Sequence, residues 1–161
     1  AQWMALAQPE RVAGLVLIGT GAKLRVAPEL LDVLRSDPEM AISTIVAWSF
    51  GPNAPAIIRE LGKASLEAVD PVVLLGDLVA CDHFDIRHRL DEVKAPALVI
   101  GATEDRLTPL RFSEYLAENL PEAELKVVEG AGHMMALERP AEVSEAVQAF
   151  MDRLTCHDRI V

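Results

Sequence analysis

Cysteine is scarce in this 161-residue chain, which holds only Cys81 and Cys156. Two such distant thiols form neither a disulfide framework nor the paired spacing of a structural metal site, and they fit a reduced, cytoplasmic setting. Cys81-Asp82-His83 puts three ligand-type side chains in a row. Structural zinc takes four converging ligands, however, so neither a metal nor another cofactor is expected. Cys156 and His157 fall in a polar tail, Thr155 to Val161, to which no function attaches. Positive charge is also short: 15 Lys and Arg stand against 25 Asp and Glu, a formal net charge of −10 at pH 7. Nucleic acid calls for a basic face and an anionic membrane surface attracts one, so neither is an expected partner. No apolar run approaches the ~20 residues of a spanning helix.

What the chain does have is apolar material: 51% of its residues are hydrophobic and its mean hydropathy is +0.22. Beside a charge of −10, this implies well-buried strands under an acidic surface, or a piece cut from a larger core. The length suffices for one domain with a sizeable core. Ala1-Gln2-Trp3-Met4-Ala5-Leu6-Ala7 is apolar and helix-like but lacks the basic region of a signal peptide. It reads as the later turns of a helix whose start is missing.

Leu15-Val16-Leu17-Ile18, bracketed by Gly14 and Gly19, is a short β-branched run of the kind buried on both faces of a parallel sheet. From about Lys23 to Lys94 nothing of that quality recurs. Prolines at 28, 38, 52, 55 and 71 divide this block into helix-sized pieces, Glu29–Arg35, Glu39–Phe50, Ala56–Ala68 and Val72–Cys81. Asp37-Pro38 and Asp70-Pro71 have the form of an N-cap followed by the first helical residue. Strand character returns at Ala97–Ile100, a helix follows over Leu110–Asn119, and Leu125–Val128 alternates as a more exposed strand should. Pro140 opens a last helix with an apolar stripe of Val143, Val147, Phe150, Met151 and Leu154. The pattern is α/β: three mainly parallel strands with flanking helices and a helical insertion.

Two loops carry the chemistry. Gly101 to Pro109 follows the strand at 97–100 and contains Asp105; Gly130 to Met135 follows the strand at 125–128 and contains His133. Open α/β sheets place ligands past the carboxyl ends of their strands. A carboxylate bonded to one imidazole nitrogen holds the tautomer and leaves the other nitrogen to take a proton from a hydroxyl or from water. Taken singly, each residue also has a plainer reading: His133 as a loop-satisfying side chain, Asp105 or Thr108 as a cap for the helix after Leu110. Glu104 points the other way in an extended loop, Glu129 faces solvent, and His83 and His88 sit in a charged connector. No G-x-S-x-G follows a strand, and none of the six serines stands in that setting.

Over essentially its whole length the chain resembles the C-terminal part of the α/β-hydrolase superfamily. The matching stretches are Ala7-Gln8-Pro9-Glu10-Arg11-Val12 leading into Leu15–Ile18, Asp85-Ile86-Arg87, and Lys94-Ala95-Pro96 leading into Ala97–Gly101. Asp105 with Pro109, Gly132-His133 with Glu138 and Pro140, and the closing helix complete them. The resemblance implies that Asp105 is the acid and His133 the base of a catalytic triad. It divides the chain into a partial core, residues 1–22 and 95–161, and a helical cap, residues 23–94. The nucleophile and oxyanion-hole loop would lie in an absent N-terminal half.

The expectation is therefore a fragment of a serine-type hydrolase acting on a small ester, lactone or C–C bond. An aspartate-nucleophile dehalogenase or epoxide hydrolase is the alternative within the enzyme class. Trp48 and Phe50 are expected to wall an apolar pocket for a small apolar substrate. The chain alone is expected to be inactive, and strand 15–18 with Trp3, Met4 and Leu6 to leave apolar surface that binds the absent half or a second copy.

Overall fold

The computed structural model describes residues 1–157; the side chains of Cys156 and His157 and residues 158–161 lie outside it, and with them the reading of those two residues. Three parallel strands, β1 (Leu15–Ile18), β2 (Ala97–Ala102) and β3 (Ala123–Val128), form one sheet in the order β1-β2-β3. Leu15 pairs with Ala97, and Ala97 with Ala123, so all three strands start level. Parallel pairing of β1 and β2 requires a crossover. Here it contains four helices, α2 (Pro28–Ser36), α3 (Pro38–Ser49), α4 (Ala56–Glu67) and α5 (Pro71–Asp82). The second crossover is the single helix α6 (Arg111–Asn119), and α7 (Met135–Glu138) and α8 (Pro140–His157) follow β3.

The period of two along a strand sorts the core into layers. Leu15, Leu17, Ala97 and Val99 face a cluster that takes in Leu116 and Leu120, with Ala5 and Leu6 of α1 (Gln2–Ala7). Val16, Leu98, Ile100 and Ala102 face the opposite way, onto Val143, Val147, Phe150 and Leu154 of α8. A third cluster, built on Leu34, Ala41, Ile42 and Ile45, belongs to the crossover helices themselves. Its two ends are drawn together: Leu24 N–H donates to the Phe84 carbonyl at 3.1 Å and Ile86 N–H to the Ala22 carbonyl at 2.8 Å. The apolar residues Ile86, Leu90 and Val93 beyond this closure pack with the first cluster.

Four expectations need correction. The strand buried on both faces is β2, every residue of which is buried, whereas β1 is an edge with Ile18 37% exposed. Glycine and alanine at 101–102 continue β2 rather than opening the loop. Leu6 packs against the core, so the large apolar side chains that α1 exposes are Trp3 and Met4, with Arg89 lying 5.5 Å over the Trp3 ring. Met151 is 52% exposed, leaving Ala146 to join the stripe of α8 in its place.

Candidate active site

Beyond the carboxyl ends of β2 and β3 the two loops are laced together. Thr103 N–H reaches the Val128 carbonyl at 3.3 Å, Glu104 N–H the Ala131 carbonyl at 3.0 Å, and Gly130 N–H the Thr103 hydroxyl at 2.9 Å. Glu104 thereby faces solvent while its neighbour Asp105 turns inward and is buried. Burying a carboxylate is costly unless donors replace its water. Asp105 has three from its own loop: Leu107 N–H at 2.9 Å and Thr108 N–H at 2.8 Å on Oδ1, and the Thr108 hydroxyl at 2.8 Å on Oδ2. Asp105 therefore caps its own loop. The helix α6 has Leu110 as its N-cap and no side-chain cap, unlike the plainer reading of Asp105 or Thr108.

His133 Nδ1 stands 2.9 Å from Asp105 Oδ2 and 3.1 Å from Thr108 Oγ1. The Thr108 proton is committed to Asp105, so both oxygens facing Nδ1 are acceptors, and the arrangement assigns the ring proton to Nδ1. Nε2 is left with a lone pair. The ring lies over the end of β1, where Gly19 has φ +54° and a Cβ would sit 3.2 Å from His133 Cε1 and Nδ1. Glycine is required there on both counts, conformation and space.

The loop of His133 is fixed from the far side by the end of α3. Met134 N–H donates to the Ser49 carbonyl at 2.9 Å. The Glu138 carboxylate, 8% exposed, accepts Gly132 N–H at 2.9 Å and Gly51 N–H at 3.1 Å, clasping two chain segments 87 and 6 residues away. Backbones approach so closely that a Cβ on Gly132 would lie 2.4 Å from Gly51 N. Arg59 holds the outer side of that turn through the Gly51 and Ala54 carbonyls.

Two cavities meet at His133 and share Ile45, Leu78 and Leu107 in their walls. One, of about 510 Å³, is almost wholly apolar and includes Phe50, Ile58, Leu61 and Leu137. The other, of about 360 Å³, includes Trp48, Leu30, Cys81, Arg25 and Arg106. Trp48 and Phe50 thus both line space reaching His133, but in different cavities. A cavity of about 530 Å³ opens at the other end of the sheet by Ala97 and Ala123, where Arg153 is paired with Glu124. His83, His88, Glu104 and Glu129 are exposed, and none hydrogen-bonds to the His133 or Asp105 side chain.

No hydroxyl among the described residues lies within hydrogen-bond distance of Nε2. Ser49 and Ser65 line the larger cavity but donate to the Ile45 and Leu61 carbonyls. Burial pushes the Cys81 thiol up from its ordinary value, with the charge of Asp77 adding to it, which is the wrong direction for a thiolate nucleophile. Sequence reasoning missed Thr108 as a partner of the pair and Glu138 as the clasp. The spacing Asp105-x-x-Thr108 could have suggested the first; no local signal marks the second.

A family model described as "Alpha/beta hydrolase family" matches residues 2–146. The chain is 32% identical to a 2-hydroxy-6-oxononadienedioate/2-hydroxy-6-oxononatrienedioate hydrolase of Burkholderia vietnamiensis, over 92% of this chain and 57% of that protein. It is 29% identical to a pimeloyl-[acyl-carrier protein] methyl ester esterase of Neisseria meningitidis, over 83% and 57%. Among solved structures, a thermophilic esterase superposes with a TM-score of 0.86 at 36% identity, covering 96% of this chain and 62% of that one. An N-acyl homoserine lactone degrading enzyme gives 0.80 at 26%, covering 92% and 62%. The chain spans less than two thirds of the length of each of these proteins.

Proposed function

The chain belongs to the alpha/beta hydrolase family, and from that premise we propose that it supplies the acid and base of a hydrolase acting on a small ester, lactone or C–C bond. The observation that carries this reading is His133 Nδ1 held at 2.9 Å from Oδ2 of buried Asp105, with no hydrogen-bond partner on Nε2 among the described residues. In the proposed step, Nε2 takes the proton of an attacking hydroxyl as that oxygen adds to the substrate carbonyl, then returns it to the leaving group. Asp105 stabilises the imidazolium formed in between and keeps the ring from flipping. Thr108 serves as a positioning residue, since its hydroxyl braces both partners. The helices α2 to α5 act as a cap, and the cavities carrying Trp48 and Phe50 receive the two sides of the substrate.

The attacking hydroxyl is proposed to come from a segment outside these 161 residues, because none among the described residues reaches Nε2. The relatives named above are, by their names, a 2-hydroxy-6-oxononadienedioate hydrolase, a methyl ester esterase and a lactone-degrading enzyme, and the proposal stays at the level they share. Nitrophenyl ester turnover by the parent protein tests it, alongside His133→Ala and Asp105→Asn. Each substitution is expected to cost at least ~10³-fold in kcat, in keeping with the loss of one member of such a unit. Full activity in either variant refutes the assignment. Mass spectrometry of a trapped intermediate identifies the nucleophile; an ester to aspartate would replace the serine reading with the aspartate-nucleophile alternative.

A further inference from the structure

The described residues include ten arginines. Seven of them hydrogen-bond to a side-chain or backbone oxygen. The three that do not, among the described residues, are Arg25, Arg106 and Arg111, all exposed, and they line two adjoining cavities. Arg25 and Arg106 line the Trp48 cavity together with His133. Arg25 and Arg111 line an adjoining cavity of about 440 Å³, and Arg25 and Phe112 stand in the walls of both. The Arg111 guanidinium lies 5.1 Å over the Phe112 ring, which holds its stem against an apolar face. Lys23 and Arg87 complete the rim, both paired with the single carboxylate of Asp85. Nearby Asp82 has Oδ1 engaged by Val26 N–H.

Five cations against two engaged carboxylates, Asp85 and Asp82, is a local reversal of sign in a chain of net charge −10. Walls of low polarity beside these charges focus the field into the cavity mouth. Guanidinium groups bind carboxylates through paired N–H donors, and such charge-assisted bonds are among the stronger ones.

We propose that Arg25, Arg106 and Arg111 form a carboxylate-binding subsite, so that the substrate carries an anionic carboxylate at the end remote from the apolar Phe50 cavity. The inference rests on His133 marking the reacting centre. It selects, within the ester, lactone and C–C bond class, those substrates with a free acid group beyond an apolar stretch. Orientation follows: the acid end anchors on the arginine side, the apolar end fills the Phe50 side, and the bond to be cleaved lies between them at His133.

Binding can be read without turnover by titrating the chain with monomethyl adipate and with dimethyl adipate, following His133 ring and arginine side-chain N–H signals by NMR. The mono-acid is expected to bind about tenfold more tightly, the gain of one charge-assisted pair. Arg25→Gln with Arg106→Gln should erase that preference and leave the diester unchanged, while Arg35→Gln with Arg153→Gln should alter neither. Equal binding of the two esters, binding of neither, or loss of the preference in the control pair overturns the proposal. Inorganic phosphate competing more strongly than the mono-acid overturns the choice of carboxylate. If the preference is found yet His133→Ala leaves the parent protein active, the subsite stands and the catalytic reading falls.

Discussion

Removing the Glu138 carboxylate should be the most damaging single change outside the hydrophobic core. In Glu138→Ala the amide groups of Gly51 and Gly132 lose the oxygens that accept them at 3.1 and 2.9 Å. Both bonds are buried, and no other acceptor contacts either donor. An orphaned buried N–H costs about 1–3 kcal/mol, so the pair should cost roughly 2–6 kcal/mol. A domain of this size commonly has ~5–15 kcal/mol in hand, so the variant should fold but with a much lower urea midpoint. Glu138→Gln offers a graded control. Its one oxygen can keep Gly132, while its NH₂ group would face the Gly51 N–H, so the loss should fall between wild type and alanine. Urea unfolding followed by circular dichroism gives the size of the effect. Amide spectra give its place: the Gly51 and Gly132 protons should shift upfield and exchange faster, ahead of amides in β2. A Glu138→Ala midpoint shift worth less than ~0.5 kcal/mol, the size of an ordinary surface change, would refute the reasoning.

Three further outcomes follow from the space around two glycines and from charge. Gly132→Ala should destabilise by ~1–3 kcal/mol, because its Cβ meets the backbone of Gly51 and Phe50 at 2.4 and 2.6 Å. Gly76→Ala, in the middle of α5 with open space around it, should instead stabilise by about 0.5–1 kcal/mol; thermal melts of the two variants compare them directly. Arg87 beside Asp85, helped by Lys23, holds the Asp85 carboxyl well below its ordinary 3.8. A depressed carboxyl contributes stability above its unfolded pKa and loses it as pH falls toward the folded value. The stability difference between wild type and Asp85→Asn should therefore be constant from pH 7 to about 5 and shrink below about 4; a difference independent of pH down to 2 would contradict the ion pair.

Much of the architecture could be read from local pattern because its causes are local. Pro28, Pro38, Pro71 and Pro140 each open a helix, and the Asp37 and Asp70 side chains accept the amides of Met40 and Val72 as N-caps should. Those contacts span two or three residues, so composition and spacing suffice. The β1 strand has its predicted limits for the same reason. Its burial was misjudged, since an apolar run reports what a strand can tolerate while its neighbours decide what it meets. With β2 between β1 and β3, the centre is the strand sealed on both faces.

The two loops show the same division. Asp105 and His133 could be singled out because each follows a strand end, and strand ends are legible. That their side chains meet depended on the level register of β2 and β3 and on the backbone bonds lacing the loops. Thr108 at the shared oxygen, and Glu138 between Gly51 and Gly132, came only from tertiary structure. So did the placing of Trp48 and Phe50 in two cavities that share the histidine, and of Arg25, Arg106 and Arg111 around two adjoining ones. Sequence pattern records which groups are polar, apolar or stiff over a few residues. Which polar groups share a desolvated space depends on contacts between segments up to 87 residues apart, and no local periodicity encodes those distances.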